Sequence, residues 1–109
     1  YAPLAALASA KAHFDASDLK TARVQLQWAV ENARDPEVQS IARLRLATLL
    51  IDEKAYDEAL KVLDAKHDAP FAGRFLEVRG DVLAAAGRKS DARAAYRTAL
   101  EKADPRDTG

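Results

Sequence analysis

The chain of 109 residues contains no cysteine, no methionine, and only four glycines and four prolines. Without cysteine it cannot form a disulfide framework, a thiolate nucleophile or a cysteine-based metal site. The scarcity of glycine and proline suits closely packed helices rather than sheets. Because no methionine is present, residue 1 is not a translation start, and we expect the chain to be a piece of a longer protein.

An excess of charge of one sign is also missing, since 17 basic and 17 acidic residues cancel. No block of five or more like charges occurs, so binding to nucleic acid or to an anionic membrane surface is not expected. The longest apolar stretches, such as residues 46–51, fall far short of the roughly 20 residues of a membrane span. Any membrane anchor is therefore expected outside this sequence.

Alanine is abundant instead, with 25 residues, and hydrophobic residues make up 49% of the chain. Alanine has the highest helix propensity, and its small side chain lets neighbouring helices approach closely. The length corresponds to one domain with a shared core. We therefore predict a single all-α domain over residues 1–109.

A repeated pattern organises the sequence. An alanine is followed four positions later by leucine or tyrosine, and three positions after that by alanine or lysine: Ala22, Leu26, Ala29; Ala59, Leu63, Lys66; Ala92, Tyr96, Ala99. The three sets lie 37 and then 33 residues apart, and a small residue precedes each set by 12 positions. A unit of about 34 residues with these features resembles the tetratricopeptide repeat, which is a pair of helices.

This resemblance implies a tetratricopeptide-like, right-handed stack of three antiparallel helix pairs. Small residues would let the two helices of each pair approach closely, namely Ala10 with Ala22, Ala47 with Ala59, and Gly80 with Ala92. A leucine in place of Gly80 is expected to displace the facing helix around Ala92. The first repeat is the least regular, because Ser9 and His13 stand where apolar residues are expected.

The predicted helices cover residues 3–16, 19–33, 36–53, 56–66, 71–86 and 89–103. Asp35 is a candidate N-cap, followed by Pro36 in the first turn and by Glu37, an acid that the helix dipole favours there. Gly87 is expected to end the fifth helix. The last helix is predicted to bury one stripe, consisting of Ala92, Ala95, Tyr96, Ala99, Leu100 and Ala103.

Candidate catalytic and metal-binding residues are few. The two histidines, His13 and His67, are far apart and have no acidic cluster at ligand spacing. Neither a G-x-S-x-G nucleophile motif nor a glycine-rich phosphate loop occurs. We therefore predict that the chain is not an enzyme, has no catalytic or metal site, needs no cofactor, and acts by binding other proteins.

Four runs resemble one bacterial family more closely than the generic repeat does. They are residues 43–47 (RLRLA), 59–64 (ALKVLD), 79–81 (RGD) and 87–96 (GRKSDARAAY). In this order they are similar to the C-terminal repeats of the YfgM-like ancillary subunits of the SecYEG translocon. The resemblance implies a periplasmic repeat domain, tethered to the inner membrane by one preceding span, that works with the translocon and a PpiD-type chaperone on exported proteins. The alternative is a tetratricopeptide adaptor of another cell-envelope complex.

The predicted partner-binding surface is the inner side of the stack, which the first helix of each pair forms. Its residues are Leu7, Lys11 and Phe14, then Leu44, Thr48 and Ile51, then Arg74, Glu77 and Asp81. The surface changes from apolar to charged, which suits an amphipathic or extended segment of a partner. In the alternative interpretation, Leu44 and Ile51 are simply core residues.

A carboxylate clamp of the kind found in cytosolic chaperone adaptors is not predicted. At the equivalent positions Lys11, Arg45 and Arg74 keep the basic charge, but the asparagines of such clamps are absent. The C-terminal carboxylate of a partner would therefore receive no hydrogen bonds from side-chain amides of the kind that such a clamp provides.

Two further apolar features have open interpretations. Trp28, beside Val24, either packs against the next helix pair or anchors an interface. In the first helix, Leu4, Leu7 and Phe14 have no predicted cover within the sequence. Because exposed apolar patches seek partners, we expect the chain to associate with a second copy through this helix.

Overall fold

The computed structural model describes residues 3–16, 18–65 and 69–103, and over these ranges it contains helices and no strand. The α-helices are α1 (Pro3–Asp15), α2 (Leu19–Asn32), α3 (Pro36–Asp52), α4 (Tyr56–Leu63), α5 (Ala72–Ala85) and α6 (Lys89–Ala103). A short 3-10 turn, Ala69–Phe71, leads into α5. The all-α prediction is confirmed, and the helix bounds agree with the predicted ones to within a few residues. Lys66 and His67 lie outside the described residues.

The six helices form three antiparallel pairs, α1 with α2, α3 with α4, and α5 with α6. Each helix packs against the next along the chain, and α3 also contacts α1 and α5. This is the predicted tetratricopeptide-like stack, with a core that runs through the pairs. None of the helices in the described ranges combines the length and the apolar character needed to cross a lipid bilayer.

The small residues predicted to hold each pair together are buried, namely Ala10, Ala22, Ala47, Ala59, Gly80 and Ala92. At Gly80 the reason for the small size differs from the predicted one. A Cβ atom there would lie 2.5 Å from Cε1 of Tyr96, and the three nearest atoms all belong to that ring. A side chain at position 80 therefore meets Tyr96 before it meets the helix around Ala92.

Side-chain caps fix the starts of α2 and α3. Asp35 accepts a hydrogen bond from the backbone N–H of Glu37 at 2.9 Å, with Pro36 in the first turn, as predicted. Asp18 accepts from the backbone N–H of Thr21 at 3.3 Å. Hydrogen bonds from Thr21 also hold the pKa of the Asp18 carboxyl below its ordinary value.

The turn inside each helix pair closes with the same backbone hydrogen bond. In this bond an N–H donates to the carbonyl five residues earlier: Asp18 to His13 at 2.7 Å, Ala55 to Leu50 at 2.9 Å, and Arg88 to Leu83 at 2.8 Å. The residue before the donor adopts a left-handed backbone in the second and third turns, at Lys54 (φ 61°) and Gly87 (φ 85°). This is a Schellman ending, and it confirms that Gly87 ends the fifth helix.

Ser9, one of the two polar residues that interrupt the first repeat, contacts a polar residue of α2. Gln25 is buried, and its Nε2 donates to Ser9 Oγ at 2.7 Å. His13 Nδ1 lies 2.8 Å from the Ser9 carbonyl oxygen. Because α2 presents a buried amide here, the facing side of α1 needs polar partners.

Fewer residues of the last helix are buried than predicted. Ala92, Ala95 and Ala99 are buried and Tyr96 is partly buried, but Leu100 is 72% exposed. The prediction for Leu100 is wrong because α6 packs chiefly against α5, and no further helix in the described residues covers its other side. The side chain of Ala103 lies outside the described part of the chain.

Two expectations for the first pair also change. Trp28 is half-buried and packs against the core, whereas Val24 beside it is 61% exposed. Leu7 is buried in the core and Phe14 is half-buried, so the expectation of three uncovered residues on α1 is wrong for Leu7. Leu4, 66% exposed, is the one of the three that remains uncovered.

Candidate protein-binding groove

A groove opens on the inner side of the stack, where α1, α3 and α5 lie next to one another. It encloses about 170 Å³. Its lining consists of Ala10, Lys11 and Phe14 from α1, Leu26 from α2, Leu44, Arg45 and Thr48 from α3, and Arg74 and Val78 from α5. Each of the three helix pairs therefore contributes to one site. The contributing helices are α1, α2, α3 and α5.

The floor of the groove is apolar and its rim is polar. Leu26, Leu44 and Val78 belong to the buried core, and Phe14 packs partly against them. On the rim, the hydroxyl of Thr48 donates to the Leu44 carbonyl oxygen at 2.9 Å, so its proton is already used within α3.

The rim carries three positive charges, on Lys11, Arg45 and Arg74, and the lining contains no acidic residue. All three side chains are exposed. The ion pairs that occur within the described ranges lie elsewhere: Arg23 with Glu53 at 3.5 Å, Arg79 with Asp64 at 3.7 Å, and Arg88 with Asp91 at 2.7 Å. The groove is thus a locally positive site on a chain whose formal net charge is zero.

Five of the nine residues predicted for partner binding line this groove, namely Lys11, Phe14, Leu44, Thr48 and Arg74. The other four lie elsewhere. Leu7 is in the core and Ile51 packs partly against it. Glu77 lies in a separate depression between α5 and α6, and the Asp81 carboxylate accepts a hydrogen bond from the Tyr96 hydroxyl at 2.6 Å.

Four lining residues are not in the predicted partner-binding surface, namely Ala10, Leu26, Arg45 and Val78, although Arg45 is noted above as a basic residue at a clamp-equivalent position. Relative to the small packing residue of each first helix, the lining moves about one turn towards the N-terminus from α1 to α3, and again from α3 to α5. The groove therefore crosses the three helices obliquely. The small rotation between successive repeats produces such a path, whereas the predicted surface used the same positions in the first two repeats and moved by one turn only in the third.

Tyr96 of α6 and Asp81 of α5 form a hydrogen-bonded pair. The hydrogen bond to the Asp81 carboxylate, together with desolvation and the negative charges of Asp81 and Glu77, raises the pKa of Tyr96 to about 12. The phenol therefore stays protonated at neutral pH and holds the Asp81 carboxylate. This carboxylate is engaged within the domain.

Within the described residues, no group of three or more His, Cys, Asp or Glu side chains is placed to hold a metal ion. His13 is engaged with Ser9, and His67 lies outside the described ranges. The arrangement of the groove offers contacts and charge, and it brings together no nucleophile with a general base.

Comparison with known proteins agrees with this architecture. The sequence profile of the tetratricopeptide repeat-like domain matches residues 1–108. An ancillary SecYEG translocon subunit of Neisseria gonorrhoeae (strain ATCC 700825 / FA 1090) is 39% identical over 98 residues, which are 90% of this chain and 47% of that protein. An ancillary SecYEG translocon subunit of Escherichia coli (strain K12) is 32% identical over 101 residues, 93% of this chain and 49% of that protein.

The chain thus spans about half the length of the curated relatives it matches. No solved structure matches it significantly. The described fold, the profile match over nearly the whole chain and the two relatives agree with one another. The chain therefore belongs to the family of tetratricopeptide repeat-like domains, and its resemblance to the ancillary subunits of the SecYEG translocon is confirmed.

Proposed function

We propose that the chain is the protein-binding domain of an ancillary translocon subunit, and that it holds protein partners at SecYEG without catalysing a reaction. The observation that carries this proposal is the groove across α1, α3 and α5. Its lining combines an apolar floor with an exposed, charged rim, which is the arrangement of protein-binding grooves in helical repeats. The printed names of the two relatives support SecYEG as the place of action.

The proposal extends to location and partners. By resemblance, the domain lies on the periplasmic side of the inner membrane, and a PpiD-type chaperone is among its partners in the handling of exported proteins. A second copy of the chain is a further proposed partner, through the exposed end of α1 at Leu4.

Capture of partners from detergent-solubilised membranes by the full-length protein tests the proposal. Arg74→Glu changes the rim of the groove at an exposed position, and Phe14→Ser removes part of its floor. Arg97→Glu, on the exposed side of α6, is the matched control. We expect wild type and control to capture SecYEG and the chaperone, and the groove variants to lose at least the chaperone.

Thermal unfolding is measured for each variant, because Phe14 also packs against the core. Arg74→Glu is expected to leave the midpoint unchanged, since that side chain is exposed. Capture of a different envelope complex in place of SecYEG would favour the alternative adaptor function. Undiminished capture by both groove variants would place the binding surface elsewhere on the domain.

A further inference from the structure

The three cations of the groove come from three different helices and converge on one opening. Lys11 belongs to α1, Arg45 to α3 and Arg74 to α5. In the described parts of the chain, none of the three lies within ion-pair distance of an acidic side chain. A cleft with apolar walls and charges of one sign concentrates the electric field and attracts partners of opposite charge.

The size of the groove limits what can enter it. Small-molecule sites usually have at least about 300 Å³, whereas a cavity of about 150 Å³ is enough for a benzene molecule. At about 170 Å³, the space between Phe14, Leu26, Leu44 and Val78 suits a single leucine or phenylalanine side chain. The rest of a ligand must then lie along the rim, next to the cations.

We infer that the groove binds an internal acidic segment of a partner protein, in which one large apolar side chain enters the cavity. Aspartate or glutamate carboxylates on either side of that residue accept hydrogen bonds from Lys11, Arg45 and Arg74. This inference rests on the proposed protein-binding function and adds the chemistry of the bound segment. Packed helices lie about 8–10 Å apart, so acids about three residues apart in an extended segment match the successive helices.

A chain-end carboxylate is a less suitable ligand for this groove. Clamps for chain ends use side-chain amides, and the lining contains neither asparagine nor glutamine. The only asparagine of the chain, Asn32, donates its amide to the Trp28 carbonyl oxygen within α2. Carboxylates on side chains need only the charged donors that the rim provides.

Fluorescence anisotropy with synthetic peptides tests the inference. The probe is a labelled peptide with both ends blocked, in which a central leucine lies between glutamates spaced three residues apart. The controls are the same peptide with glutamine in place of each glutamate, and the same peptide with serine in place of the leucine. We expect either control to bind about tenfold more weakly, and the affinity of the glutamate peptide to fall as salt is added.

Variants of the chain locate the site. Lys11→Gln, Arg45→Gln and Arg74→Gln are each expected to weaken binding about two- to fivefold, because each removes one exposed charge pair. The thermal midpoint should stay unchanged, since all three side chains are exposed. Arg97→Gln, which removes an exposed charge on α6, is expected to bind the peptide as wild type does.

Several outcomes would overturn the inference. They are equal binding of the glutamine peptide, equal weakening by Arg97→Gln, and binding that requires an unblocked C-terminus. A change in sedimentation of the cation variants, without any change in peptide affinity, would mean that the groove contacts a second copy instead. If the peptides fail to bind while capture of SecYEG still depends on the groove, the inference fails and the proposed function remains.

Discussion

Gly80 and Tyr96 are matched in size across the contact between α5 and α6. In the first two repeats, alanine stands at the position of Gly80 and leucine at the position of Tyr96: Ala10 with Leu26, and Ala47 with Leu63. The third repeat has a larger residue on its second helix and a smaller one on its first. Because a Cβ atom at position 80 would lie 2.5 Å from the Tyr96 ring, the two identities are coupled.

Gly80→Ala is expected to destabilise the domain by about 1–2 kcal/mol. Overpacking costs about 1–3 kcal/mol and outweighs the gain in helix propensity of up to about 1 kcal/mol. The second substitution Tyr96→Leu, which recreates the pair of the first two repeats, should recover most of the loss. Urea unfolding of the wild type, both single variants and the double variant measures the coupling. Additive single effects would contradict the proposed contact.

The raised pKa of Tyr96 predicts a loss of stability at high pH. In the unfolded chain the phenol ionises near pH 10, whereas in the folded domain its pKa is about 12. The contribution is therefore fully present below about pH 10 and is lost as pH rises through about 12. The ultraviolet absorbance of tyrosinate during a pH titration should show a late step that Tyr96→Phe removes.

Asp81→Asn is the matched control for this titration. It keeps an acceptor oxygen for the Tyr96 hydroxyl but removes the negative charge that opposes ionisation. The step assigned to Tyr96 should then move to lower pH, towards its ordinary range. An unchanged step would show that desolvation, rather than Asp81, raises the pKa.

At the scale of the helical elements, the turns inside the second and third pairs have different residues at their left-handed position. Both use a left-handed backbone after the first helix, with lysine at position 54 and glycine at position 87. Glycine adopts this conformation readily, while other residues lose about 1–2 kcal/mol. Replacing Lys54 by glycine and Gly87 by lysine therefore tests the same left-handed position in opposite directions.

Lys54→Gly should stabilise the domain by about 0.5–1 kcal/mol, since relief at the left-handed position is partly offset by the greater freedom of glycine in the unfolded chain. Gly87→Lys should destabilise it by a similar amount. Both positions are exposed, and a Cβ atom at Gly87 would meet nothing within 4 Å, so packing does not contribute to either difference. Thermal unfolding of both variants provides the comparison. Destabilisation by Lys54→Gly would contradict this account.

Helix existence and most helix ends could be predicted because local signals decide them. Asp35 with Pro36 marks the start of α3, and Gly87 marks the end of α5, and the structure confirms both. Lys54 ends the helix before it without a glycine, and only the spacing of the repeat indicated that turn. The exposure of Leu100 could not be predicted, because it depends on whether another helix follows α6 in space.

At the scale of the whole molecule, the prediction of self-association now depends on Leu4. With Leu7 buried, the uncovered apolar area on α1 is smaller than expected, so we expect only weak dimerisation of the chain. Sedimentation over a concentration series should show a dimer at high concentration, and Leu4→Glu should abolish it. Leu100→Glu, at the opposite end of the stack, is the control. A monomer at every concentration would contradict the prediction.

The groove shows which part of the site the sequence could define. Repeat spacing identified the first helices as the inner surface, and five of the residues chosen from it line the groove, namely Lys11, Phe14, Leu44, Thr48 and Arg74. The predicted partner-binding surface left out Arg45, which was assigned only to a clamp-equivalent position, and Val78, because their place in the groove depends on the rotation between successive pairs. That rotation follows from the packing of side chains between helices rather than from the residues of any one repeat.

The central position of α3 affects the order in which the helices unfold locally. This helix touches α1, α2, α4 and α5, whereas α6 packs chiefly against α5. In such linear arrays local unfolding begins at the ends, so backbone amides of α6 should exchange with deuterium fastest and those in the middle of α3 slowest. A ligand that contacts α1, α3 and α5 together would join segments that otherwise open separately, and would therefore slow exchange in helices that it does not touch.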